Sequence, residues 1–203
     1  MNIGVFGGTF DPIHFGHMAA AKAMRSTLGL AKILFVPTGQ PWLKADLPIS
    51  PQQDRLEMVR LAIADERYFE VSTVEVDRPG PSYTVDTMDM LQRELGSEAK
   101  LFFLVGSDAL SDLSRWKEPA RLIRICRLVA FSRPGAALPS LNQLESAIPG
   151  ISRNLTFAEV PQLDISATEI RRLVALGASI GHLVPRAVEG HIVEHGLYRN
   201  QER

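Results

Sequence analysis

The chain predicts a doubly wound α/β fold: a mostly parallel sheet with helices on both faces. Three observations carry this. Short runs rich in Val, Ile, Leu and Phe recur at residues 3–6, 33–36, 69–76, 101–105, 128–131 and 155–160. Helical patterns lie between most of them. The runs are apolar throughout, as strands covered on two sides are, and only 69–76 alternates enough to suit a sheet edge.

In chain order, the strand at 3–6 leads through a Gly-rich turn into an Ala-rich helix over 18–28. After the strand at 33–36, Ser50 is placed to cap a helix over 51–64. Ser82 is placed to cap one over 83–95 that Gly96 stops. Two further strands, at 101–105 and 128–131, precede a Pro/Ser loop at 133–140. The strand at 155–160 is followed by a helix over 167–176, with Ser166 as cap and Gly177 as stop. The last helix, over 186–195, ends at Gly196. No repeat, low-complexity tract or linker divides the 203 residues, so residues 1–203 are read as one domain.

Composition narrows the function classes. Lys+Arg at 22 against Asp+Glu at 23 gives a formal charge of −1, which supplies no broad field for a nucleic-acid backbone, so any anion site is local. The single cysteine, Cys126, has no internal disulfide partner and reads as a core thiol. With no basic leader and no apolar run of membrane-spanning length, the expectation is a cytoplasmic protein with no membrane partner.

In doubly wound sheets, ligands lie beyond the carboxyl ends of the strands. The segments 7–17, 38–50, 78–83, 106–116 and 163–166 all follow strand patterns and are expected to converge on one cleft. The first reads Gly7-Gly8-Thr9-Phe10-Asp11-Pro12-Ile13-His14-Phe15-Gly16-His17. Glycines let the backbone approach a ligand, and the helix start that follows offers unpaired N–H groups and a positive dipole end. His14 and His17 fall on one side of that turn, and Gly16 between them removes bulk. A plain strand-to-helix turn with surface histidines is the alternative; the paired histidines favour a phosphate site.

Late in the chain, Asp164-Ile165-Ser166-Ala167-Thr168-Glu169-Ile170-Arg171 opens another helix. Ser166 and Glu169 have the spacing of a capping box, which alone explains the serine. Arg171, less than two turns on, has the length to reach back over the helix start toward phosphate oxygens.

These residues resemble the T/H-x-G-H signature of the nucleotidyltransferase superfamily, and the string from Gly7 to His17 looks like its nicotinate-nucleotide adenylyltransferase branch. The segment 165–171 is similar to the superfamily's I-S-S-T-x-x-R motif, with Ala167 for the second serine. Ser82-Tyr83-Thr84-Val85-Asp86-Thr87 resembles the branch's S-Y-T-x-D-T segment, which holds the pyridine ring and its carboxylate. Gly106-Ser107-Asp108, with Trp116 following, is similar to its G-x-D segment and aromatic platform. At Gly39–Lys44 many relatives read P-P-H-K; Trp42 and Leu43 depart from that, and only Lys44 is carried over.

The resemblance implies a Rossmann-like nucleotidyltransferase fold and the reaction of ATP with nicotinate mononucleotide to give deamido-NAD and pyrophosphate. It implies His14, His17 and Arg171 as catalytic groups. Gly7, Gly8, Thr9, Phe10, Gly16, Gly106, Asp108, Ile165 and Ser166 complete the ATP site. Lys44, Tyr83, Thr84, Asp108, Trp116 and Arg133 form the site for the acceptor. Magnesium is expected with ATP, held mainly by phosphates and water rather than by protein ligands. Pantetheine-phosphate adenylyltransferases share the T-x-G-H and S-x-x-x-x-R elements but are usually shorter, and the segments 82–87 and 106–116 favour nicotinate. A non-catalytic nucleotide-binding module is the other alternative.

One motif points elsewhere. His191-Ile192-Val193-Glu194-His195 matches the H-x-x-E-H pattern of one zinc peptidase group. Catalytic zinc generally takes a third protein ligand. After His195 only Glu202, in a tail, is offered and an upstream ligand stays open; the expectation is a terminal helix whose charged face carries His191, Glu194 and His195 toward solvent.

Overall fold

The structure is a computed structural model that describes residues 1–42, 48–132 and 139–199. Six strands, β1 (Asn2–Gly8), β2 (Lys32–Pro37), β3 (Phe69–Val71), β4 (Lys100–Gly106), β5 (Arg127–Phe131) and β6 (Leu155–Ala158), form one sheet in the order β3-β2-β1-β4-β5-β6. All five pairings are parallel. The order reverses between β1 and β4, so the crevice beyond their carboxyl ends is the topological switch point.

Side-chain alternation along the strands divides the core in two. Phe6, Ile33, Phe35, Leu104, Val129 and Phe131 face a layer formed with α1 (Phe15–Thr27), α2 (Gln52–Ile63), α7 (Ala167–Ala175) and α8 (Arg186–Glu194). Ile3, Val5, Leu34, Val36, Phe103, Val105 and Leu128 face the opposite layer. That layer is formed with α3 (Thr84–Leu95), α4 (Ser107–Ser111), α5 (Pro119–Ile125) and α6 (Leu141–Ala147). Both faces are thus covered, the condition under which strands read as unbroken apolar runs.

Several local expectations are corrected. The run at 69–76 is a strand only to Val71. The Ser72 amide still bonds to Phe35 O (2.9 Å), and the chain then turns, closed by Asp77 N to Thr73 O (2.9 Å). The turn drives Glu75 inward, where its carboxylate accepts from Thr87 Oγ1 at 2.7 Å. Burial pushes that carboxyl above its ordinary range.

Ser50 and Ser82 do not cap helices: the caps of α2 and α3 are Pro51 and Tyr83. Ser82 Oγ instead accepts from the amides of Gly39 and Gln40, both at 3.2 Å. The segment 106–116, read as a loop, contains α4 and a 3-10 turn at Leu113–Arg115. The glycine stops hold: Gly96, Gly177 and Gly196 all have positive φ at or just beyond helix ends.

Cys126 is a buried free thiol that burial pushes up to about 12. Among the described residues, no helix is long and apolar enough to cross a membrane.

Candidate active site

β1 ends at Gly8 and the chain turns through residues 9–14 into α1, beginning at Phe15. The turn is fixed from below by aromatic packing. A Cβ on Gly8 would stand 3.0 Å from the Phe10 ring. Phe10, with φ +50°, packs edge-on to Phe6 and to His17, at centroid distances of 5.7 and 5.2 Å. His14 is the N-cap of α1 and is buried; its ring stacks on that of His17 at 3.7 Å. The His14 backbone N–H donates to His17 Nδ1 at 3.3 Å. Nδ1 accepting that bond places the proton of the neutral ring on Nε2, which is then a donor.

The two predicted phosphate elements come together. Arg171 Nη1, from α7, donates to the carbonyl oxygen of Asp11 at 2.7 Å, and Nη2 donates to Thr168 Oγ1 at 3.3 Å. A Cβ on Gly16 would lie 3.0 Å from His14 Nδ1, so glycine keeps the space beside that ring open, and Ile165 of the second element comes within 3.8 Å of the same point. Ser166 is the N-cap of α7 and its Oγ accepts from the Glu169 amide at 3.2 Å. The reciprocal half of the capping box is absent, because Glu169 pairs with Arg172 at 2.7 and 2.8 Å.

A residue that sequence reading passed over ties the loops together. Arg55, in α2, is 2% exposed and donates to three backbone carbonyls: Thr9 (2.8 Å), Ser50 (3.1 Å) and Gly39 (3.2 Å). It therefore joins the loop after β1 to the loop after β2. Its signal was its position: Arg55 falls on the same α2 face as buried Met58, Val59 and Ala62.

Asp11 is a second junction. Its carboxylate accepts from Tyr198 Oη at 2.7 Å and from the Ser50 amide at 3.3 Å. Burial and the Asp11 carboxylate push the Tyr198 phenol upward, keeping it a donor. Gly39 is obligate, since a Cβ there would stand 2.2 Å from Glu75 O.

The predicted acceptor residues lie on the adjoining rim. The Gln40 strand bridge to Pro81, with the Ser82 bonds, draws residues 39–40 against the start of α3. Tyr83 caps α3, and its ring meets Trp42 at 5.7 Å and Lys117 Nζ at 5.0 Å. Thr84 opens α3 and Gly106 caps α4, with Asp108 exposed on its first turn. Trp116 packs edge-on to Phe103 at 6.0 Å, and its buried indole N–H meets no acceptor among the described residues. Lys44 and Arg133 lie outside the described residues. A cavity of about 460 Å³ lined by Leu34, Val71, Arg78 and Leu91 lies apart from the glycine turn and shares none of its residues.

The comparisons agree with this arrangement. Residues 5–173 match the cytidylyltransferase-like family model. A Dehalococcoides mccartyi protein named "Probable nicotinate-nucleotide adenylyltransferase" is 44% identical over 201 residues, covering 99% of this chain and 98% of that one. Proteins of the same name from a Roseiflexus species and from Thermus thermophilus are 47% identical over 197 residues and 46% over 199. They cover 97% and 98% of this chain and 98% and 100% of their own.

The fold matches that of Plasmodium falciparum nicotinic acid mononucleotide adenylyltransferase complexed with NaAD. The TM-score is 0.78 at 20% identity, over 97% of both chains. The nucleotidyltransferase fold, the paired histidine and arginine elements at the switch point and full-length similarity at this level converge. The chain belongs to the cytidylyltransferase-like family and, within it, to the nicotinate-nucleotide adenylyltransferases.

Proposed function

We propose that this chain, acting as one nucleotidyltransferase unit over residues 1–203 in the cytoplasm, transfers the adenylyl group of ATP to nicotinate mononucleotide, yielding deamido-NAD and pyrophosphate for NAD biosynthesis. The observation that carries the reading is the meeting of two helix beginnings. α1, bearing His14 and His17, and α7, bearing Ser166 and Arg171, are joined by the bond from Arg171 to the Asp11 carbonyl.

The attacking group is the 5′-phosphate of the mononucleotide. A phosphate monoester has a second pKa of about 6, so it is largely dianionic at neutral pH and requires no general base. The barrier comes from repulsion between that dianion and the triphosphate and from charge developing on the bridging oxygen as pyrophosphate leaves in line. His17 donates from Nε2 toward the α-phosphate, with His14 stacked behind it. Arg171 and the α7 beginning at Ile165 and Ser166 take the β- and γ-phosphates. Gly7, Gly8, Thr9, Phe10 and Gly16 shape the floor of the site, and Gly106 and Asp108 lie on the nucleotide side of the switch point. Tyr83, Thr84 and Trp116 hold the acceptor's pyridine end, and Lys44 and Arg133 contact a phosphate. No covalent intermediate forms.

Magnesium bound with ATP would neutralise phosphate charge. The residues fit a cation held by phosphates and water: the glycine turn presents imidazoles, and its one carboxylate, Asp11, is engaged by Tyr198 and the Ser50 amide.

Incubation of the purified protein with ATP, magnesium and each of nicotinate mononucleotide, nicotinamide mononucleotide and 4′-phosphopantetheine tests the reading through pyrophosphate release. Release is expected fastest with the nicotinate acceptor. Faster release with phosphopantetheine, or none with any acceptor, would overturn it.

A further inference from the structure

We propose that Asp54, His191 and His195 form a binding site for a divalent transition metal of zinc type, which staples α8 to α2 behind the active-site loops. The spacing of His191 and His195 puts both imidazoles on one face of the helix end, where their rings stack at 4.0 Å and 26°. The expected solvent-facing arrangement holds for Glu194 and His195, which are exposed, but not for His191, which is 9% exposed and turns toward α2. There His191 Nε2 lies 3.0 Å from Asp54 Oδ1, a carboxylate 137 residues earlier in the chain. The third ligand that the H-x-x-E-H motif lacks is thus supplied from upstream. Glu202 lies outside the described residues.

One ligand atom from each of the three side chains lies within 4.8 Å of the other two. Zinc bonds of about 2.0–2.2 Å to nitrogen and oxygen place tetrahedral ligands about 3.3 Å apart, so side-chain adjustments of about an ångström close the set. The surroundings prepare the histidine chemistry. His195 Nδ1 is 3.0 Å from the His191 carbonyl oxygen. With its proton on Nδ1 donated to that carbonyl, His195 offers the Nε2 lone pair, the arrangement by which ligating histidines are oriented.

Two imidazoles and one carboxylate select zinc, cobalt or nickel over magnesium or calcium. The partial exposure of the cluster leaves water to complete the coordination shell. Glu194 is no part of the cluster.

The placement gives the metal a structural task. Asp54 adjoins Arg55, which holds the Thr9, Gly39 and Ser50 carbonyls. α8 leads to Tyr198, which holds Asp11. A metal joining the two helices therefore fastens both braces of the glycine turn at their base.

Untagged, metal-stripped protein titrated with Co²⁺ provides the test. The expected result is one equivalent bound with a visible d–d band, displaced by Zn²⁺, and a melting temperature raised by about 5–10 °C at free metal a hundredfold above Kd. His195→Ala, at an exposed position, and Asp54→Asn, nearly isosteric, are each expected to abolish the band and the shift. His17→Ala is expected to keep both, which separates this cluster from the stacked histidines of the active site. No band and no shift in the wild type, signals that survive His195→Ala and Asp54→Asn, or signals lost in His17→Ala would each overturn the proposal.

Discussion

The two helix beginnings of the site are built differently. The first, at α1, grows out of the central strand β1. Its turn is clamped by Arg55 at Thr9, by the packing of Phe6 and Phe10 on His17, and by the bonds of Tyr198 and Ser50 to Asp11. The second, at α7, follows the edge strand β6, exposes Ser166, and is tied to the first by the Arg171 bond. The first element is fastened at several points, and the second is tied to it by an arginine. In the proposed reaction this division suits the demands on each. The group nearest the α-phosphate must be positioned before reaction, whereas the far phosphates need charge more than rigid placement.

The largest effect should therefore fall on the clamped element. His17→Ala is expected to lower turnover by about 10²–10³-fold, the scale of losing one preorganised donor to developing charge, while the chain stays folded. Arg171→Lys keeps a cation but loses the planar fork, and the expected loss is about tenfold, mostly in the KM for ATP. Steady-state kinetics on both variants, with circular dichroism as a folding check, measure the contrast. A larger loss for Arg171→Lys, or near-normal turnover for His17→Ala, would break it.

The clamp itself can be removed. Arg55→Met retains side-chain length and apolar packing but strands the Thr9, Gly39 and Ser50 carbonyls, so a destabilisation of about 3–5 kcal/mol is expected in urea unfolding. Activity at permissive temperature should fall with it, because Arg55 acts through the loops it positions. An unchanged unfolding midpoint would mean the first element is held by its aromatic packing and the Asp11 bonds without need of Arg55.

What could be read from the chain follows the same division. Strands buried on both faces announce themselves as apolar runs, so the sheet was legible, and the glycine turn and the Ser166 cap follow from local chemistry. The long-range ties were not. Ser82 has the look of a cap, yet spends its oxygen on two amides 42 and 43 residues away. Residues 72–76 have strand-like alternation, yet turn so that Glu75 reaches Thr87. His191 reads as one charged-face residue among several until α2 supplies Asp54. In each case local pattern and tertiary partner compete, and single-sequence periodicity registers only the first. Arg55 differs: a cation on an apolar helix face is a detectable misfit, and burying it requires the backbone acceptors it finds.

The smallest effect sharpens the second element. Ser166 Oγ caps α7 through the Glu169 amide, and Glu169 does not return the bond. Ser166→Ala should therefore cost only about 1 kcal/mol, seen as a modest fall in the unfolding midpoint. Ser166→Asp separates cap from ligand site. Asp is an equally good N-cap and its charge favours the helix start, so stability should be retained or slightly raised. If the triphosphate lies across this helix start, the same carboxylate repels it. ATP affinity should then fall about tenfold, while Ser166→Ala leaves it nearly unchanged. Wild-type ATP affinity in Ser166→Asp would place the phosphates elsewhere and leave α7 with a structural role only.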